Sequence, residues 1–150
     1  MSSSHLGSSN ALGVIGTESV NSAAGQTSNQ AFTDTAGHWA QEDLRSMAEC
    51  GYINGYPDGT FKPDAEITRA EFVKMIVEIF SEQAAYDHYF EDVSQYDWFA
   101  PYVGGALREG LLTGIAPNLF APNNAITRQD ASIIVYRLLS VKGMVGAVSE

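Results

Sequence analysis

Two four-residue stretches carry the most suggestive chemistry in this sequence, Thr68-Arg-Ala-Glu71 and Thr127-Arg-Gln-Asp130. In each, the threonine hydroxyl can accept from the amide three residues on while the acid reaches back, closing a capping box at the start of a helix. Asp130 is a shorter version of Glu71. Arg69 and Arg128 then stand at the first helical position, where an exposed cation opposes the helix dipole at a cost of about 0.3–1 kcal/mol. An unfavourable charge that recurs at the same place calls for a compensating anion. A neighbouring carboxylate would serve, and so would a ligand anion held by helix amides and a guanidinium; the residues leave both open. A second repeated pattern joins Phe32, Asp34 and Trp39, then Phe90, Asp92 and Trp98. The phenylalanines suit loop anchors. The acids could cap the following helix, and the indoles could pack in a core or present an edge to a ligand.

Other chemistries find little support. His5, His38 and His88 share no motif with Cys50 or a serine that would make an activated nucleophile, so no catalytic residue is expected. Cys50 is the lone cysteine, which excludes an internal disulfide and a cysteine zinc cluster. Asn54, Asp58, Gly59 and Asp64 resemble part of a calcium loop. However, Tyr56 and Ala65 stand where ligands are needed, and the second copy has Pro117 and Asn118 for Asp58 and Gly59. Neither metal nor cofactor is expected. With 8 Lys+Arg against 18 Asp+Glu the net charge is −10, which argues against nucleic acid and anionic membrane surfaces. No apolar run approaches the roughly 18–20 residues of a spanning helix, and no export signal is recognisable at the start.

The elements that must position these groups follow from a repeat. Aligning Trp39 with Trp98 sets an offset of 59 residues that holds to Phe80 and Leu139 and pairs Gly51 with Gly110, Phe61 with Phe120, Pro63 with Pro122 and Arg69 with Arg128. In the first copy, Trp39, Ala40, Leu44, Met47 and Ala48 predict a helix from about 38 to 50, stopped at Gly51. Tyr56-Pro-Asp-Gly-Thr-Phe61 predicts a turn leading into a short strand that ends at Pro63. A second helix starts at Thr68, with Phe72, Val73, Ile76, Ile79 and Phe80 on its apolar stripe. The second copy repeats the plan, so the expected fold is mainly α, a tandem helix–loop (short strand)–helix repeat. The boundaries read as a Ser/Gly-rich flexible tail over 1–31, repeats over 32–80 and 90–139 joined by a linker at 81–89, and a tail over 140–150.

Phe32-Thr-Asp-Thr-Ala-Gly-His-Trp-Ala40, then Gly51 to Phe72 with its Tyr-Pro-Asp-Gly-Thr-Phe turn and Ile-Thr-Arg-Ala-Glu box, resembles the S-layer homology domain. Residues 90–139 resemble a diverged second copy. The resemblance implies non-catalytic anchoring of an exported protein to the bacterial cell wall or S-layer. Such modules form a three-pronged, pseudo-threefold spindle whose grooves bind secondary cell-wall polysaccharide, often pyruvylated. It implies that a ketal carboxylate meets Arg69 or Arg128, that the Asp34 or Asp92 loop accepts sugar hydroxyls, and that Trp39 or Trp98 lines a groove. Linked weak contacts would add up. Two modules leave the spindle short of one, so self-association as a dimer or trimer, or a module lost by truncation, is expected to complete it. The alternative function is a protein-interaction or assembly module that docks a partner through the incomplete core. The glycan's identity and the cargo are not legible.

Overall fold

The computed structural model describes residues 32–146; the tail expected over 1–31 lies outside them. Four helices follow in order: α1 (Gln41–Glu49), α2 (Arg69–Phe80), α3 (Ala100–Arg108) and α4 (Arg128–Val141). The chain is mainly helical, as the apolar periodicity implies. The short strand expected after each turn is absent among the described residues, where only isolated bridges occur, Thr68 with Ala125 and Ala116 with Leu119.

Local chemistry sets the helix ends. Gly51 and Gly110 adopt φ of 77° and 71°. Each lets the following amide close back on the helix, Tyr52 N to the Met47 carbonyl at 3.0 Å and Leu111 N to that of Ala106 at 2.8 Å. α1 begins at Gln41, three residues later than the spacing predicts. Two turns come first, with the amides of His38 and Gln41 bonded to the carbonyls of Thr35 and His38 at 2.9 and 3.0 Å. Pro101 lies in the first turn of α3, where its missing N–H costs nothing.

One core joins the repeats. Ala70, Val73, Ile76 and Val77 of α2 pack with Val103 and Ala106 of α3 and with Ile134 and Leu138 of α4, and Phe90, Leu111 and Phe120 fill the space between. The residues at 81–89, which join the repeats, pack against α3. Tyr86 is buried with its hydroxyl bonded to the Phe90 amide, and Ala84 N donates to the Pro101 carbonyl at 3.0 Å. This crossing is possible because α3 carries Gly104 and Gly105: a Cβ there would meet the Ala84 and Glu82 carbonyl oxygens at 2.3 Å in each case. α1 contributes no fully buried residue. Its counterparts of the two glycines are Arg45 and Ser46.

Candidate functional site

The two N-terminal arginines meet different fates. Arg69 is only 4% exposed. Its Nε donates to the Phe120 carbonyl at 2.8 Å and its Nη1 to Asp130 Oδ2 at 2.8 Å, and the guanidinium lies 5.2 Å from the Phe120 ring centroid. The free amides of α2 are also taken, Arg69 N by the Asn124 carbonyl at 2.9 Å and Ala70 N by that of Pro122 at 3.0 Å. At this position the compensating anion is therefore a neighbouring carboxylate, and the guanidinium clamps one repeat to the other. Asp130 meets the same demand from its own side. Thr68 and Glu71 close a complete capping box. Thr127 accepts only from Asp130 N, at 3.1 Å, because the Asp130 carboxylate is turned to Arg69. Arg128 is exposed and makes no ion pair with any described residue.

Asp34 and Asp92 cap no helix; Ala40 and Phe99 stand at the N-caps without a side-chain bond. Each acid instead holds the loop that follows its own repeat's turn. Asp34 accepts from the amides of Phe61 and Lys62 at 2.8 and 2.7 Å, and Asp92 from those of Phe120 and Ala121 at 2.9 and 2.7 Å. The two clamps fix Lys62 and Ala121 at φ of 59° and 57°, a left-handed conformation that a side-chain-bearing residue adopts only under constraint. The Phe61 amide, only partly offset by desolvation and helped by that of Lys62, holds the Asp34 carboxyl below its ordinary value. The core placement open to the tryptophans is not realised: Trp39 is 87% and Trp98 55% exposed.

Trp98 forms one wall of a cleft of about 720 Å³ whose remaining lining comes from the first repeat. Tyr52 just after α1, Tyr56 of the turn, Lys62, Glu66, and Glu71 and Lys74 of α2 face it. Its size suits a small ligand. Lys62 Nζ lies 4.2 Å from the Tyr56 ring centroid and Lys74 Nζ 5.8 Å from that of Tyr102. Neither ammonium makes a close ion pair with a described carboxylate, although Lys62 is near enough to Asp58 and Glu71 to favour their charged forms. Glu71, by contrast, is fully engaged. It accepts from the Thr68 amide at 2.8 Å, the Thr68 hydroxyl at 2.9 Å and the Tyr56 hydroxyl at 3.1 Å. Desolvation alone would raise its pKa, but these donors outweigh it and hold the carboxyl below the ordinary range. The cleft thus offers two ammonium groups and three partly exposed aromatic rings beside the exposed Glu66 and the engaged Glu71; an anion carried on a body with apolar faces would seat at the lysine and ring side.

Of the six side chains that the resemblance offers as glycan contacts, the cleft takes only Trp98; Arg69, Asp34 and Asp92 support loops and the interface between the repeats, while Trp39 and Arg128 lie elsewhere. Tyr52, Tyr56, Lys62 and Lys74 are the residues sequence reasoning missed. Lys74 was accessible to it, since three residues after Glu71 on a helix is the same face.

A profile of the S-layer homology domain matches residues 31–73 and 89–132. The chain is 32% identical over 107 residues to an exoglucanase, XynX, of Acetivibrio thermocellus, covering 71% of this chain and 10% of that protein. It is 34% identical over 133 residues to the S-layer protein sap of Bacillus anthracis, covering 86% of this chain and 16% of that protein. A 49-residue stretch is 55% identical to cell surface glycoprotein 1 of Acetivibrio thermocellus, covering 33% of this chain and 2% of that protein. The chain therefore spans only a small part of these relatives.

Proposed function

As the chain belongs to the S-layer homology domain family, with two tandem modules, we propose that it is a non-catalytic cell-wall anchor. It binds an anionic, pyruvylated secondary cell-wall polysaccharide in the cleft between the first module and Trp98. The modules are taken as 32–80 and 90–139, two prongs of the spindle that the family implies, outside the bacterial cell. The observation that carries this reading is the pair of lysines, Lys62 and Lys74, that line the cleft without a close ion pair to any described carboxylate in a protein of charge −10. A ketal carboxylate matches them, and the faces of Tyr52, Tyr56 and Trp98 match the sugar rings. Asp34 serves as a positioning residue by holding Lys62, and Asp92 does the same for the second loop. Arg69 acts through the fit of the modules, while Arg128 and Trp39 lie outside the cleft and take no part in holding the sugar. Co-sedimentation with purified sacculi tests it: binding falls away once the secondary polymer is stripped, and equal binding to stripped walls contradicts it.

A second reading, an assembly module that self-associates or docks a partner chain, is favoured by the apolar side chains exposed on the second module, Ile115, Leu119, Ile133 and Tyr136 among them. Molar mass in solution separates the two. A concentration-independent monomer that still binds walls leaves the glycan reading alone.

A further inference from the structure

The second module repeats the backbone of the cleft without its chemistry. Its loop is clamped by Asp92 as the first is by Asp34, with both amide contacts between 2.7 and 2.9 Å in each module. Ala121 shares the left-handed conformation of Lys62. At the same offset, however, the side chains that face the first cleft are exchanged: Tyr52 for Leu111, Tyr56 for Ile115, Lys62 for Ala121 and Lys74 for Ile133. Leu111 is withdrawn into the core at 0% exposure, while Ile115 and Ile133 stay on the surface. Both ammonium groups and both phenols are gone together. Arg128 occupies none of these four positions, and its counterpart Arg69 lies outside the lining of the first cleft.

We infer that the pair of modules carries one anion-reading site, built on the first module with Trp98 as its far wall, and that the corresponding surface of the second module, being aliphatic, does not take the acidic sugar. The inference rests on the glycan reading and sharpens it. The second module contributes a wall and a rigid support rather than a second site. Avidity, which requires linked sites that can be engaged together, is then not supplied by this pair of modules alone.

Titration calorimetry of the whole chain with the methyl glycoside of a 4,6-O-pyruvylated hexopyranose tests this. The expected result is one site per chain. Lys62→Ala with Lys74→Ala removes the binding heat entirely, and Arg128→Ala or Ile133→Ser changes affinity by less than about twofold. Far-UV circular dichroism of each variant checks that the helices persist. Two sites in the unaltered chain, a residual site after both lysines are removed, or a loss of about tenfold with Arg128→Ala overturns the inference while leaving the glycan reading in place. No binding by the unaltered chain overturns both.

Discussion

Replacing Arg69 with alanine separates a structural clamp from a ligand contact. A contact on an exposed helix end predicts weaker binding with an unchanged fold. The structure predicts the reverse order of effects. Removing the guanidinium leaves the buried Phe120 carbonyl without its 2.8 Å donor and Asp130 without its 2.8 Å partner, and it removes a cation held over the Phe120 ring. Breaking a buried pair from one side costs about 3–5 kcal/mol. The Asp130 side chain is 34% exposed and recovers part of its hydration, so the lower end applies, about 3 kcal/mol. That is a large fraction of a domain's roughly 5–15 kcal/mol, and for a domain of this size it lowers Tm by about 10 °C. Urea and thermal unfolding followed by circular dichroism measure it. Arg69→Lys, which keeps the charge but loses the fork, falls between. A double-mutant cycle with Asp130→Ala gives a coupling above about 1 kcal/mol. A loss below about 0.5 kcal/mol for Arg69→Ala, or no coupling to Asp130, refutes the clamp.

Gly104→Ala or Gly105→Ala drives a Cβ into a carbonyl oxygen 2.3 Å away, and should lower stability by about 2 kcal/mol in urea unfolding; an unchanged midpoint contradicts the close crossing of residues 82–85. Asp34 and Glu71 both have carboxyls depressed below their ordinary values of 3.8 and 4.5. Their stabilisation is therefore complete above those values and is lost as pH falls through the depressed ones. The urea midpoint should drop between about pH 5 and pH 2, less steeply in Asp34→Asn and in Glu71→Gln; parallel curves for all three proteins count against both assignments. Trp98→Ala should weaken wall binding by about tenfold or more and Trp39→Ala by less than about twofold, as sedimentation isotherms would show. Equal losses would place the indoles in one surface and remove the distinction drawn between them.

Local chemistry made much of the fold legible. Thr68 and Thr127 mark helix starts because their hydroxyls bond within three residues, and Gly51 and Gly110 mark stops because positive φ is a property of one position. The offset linking Trp39 to Trp98 brought both repeats into register before any contact was known. What sequence did not show is tertiary. The partner of Arg69 lies 61 positions away, and nothing about Asp130 alone says that it abandons its own cap for another helix. Asp34 and Asp92 recur at the right place for a shared task, but the amides they hold are 27 to 29 residues downstream. Trp98 reaches a cleft because another module stands opposite it, which no feature of its own segment records. The lysines escaped notice because a charged surface residue has many possible reasons to be there, and only the shared cleft singles out Lys62 and Lys74.

The central claim is that an acidic sugar is read by these two lysines. Its most direct measurement is the affinity of the chain for soluble secondary polysaccharide before and after mild acid removes the pyruvate ketals. The account predicts a loss of about tenfold or more on depyruvylation, matched by Lys62→Ala with Lys74→Ala on the intact polymer and not enlarged by combining the two changes. Equal affinity for both polymers, or a lysine-free cleft that still prefers the pyruvylated one, contradicts it.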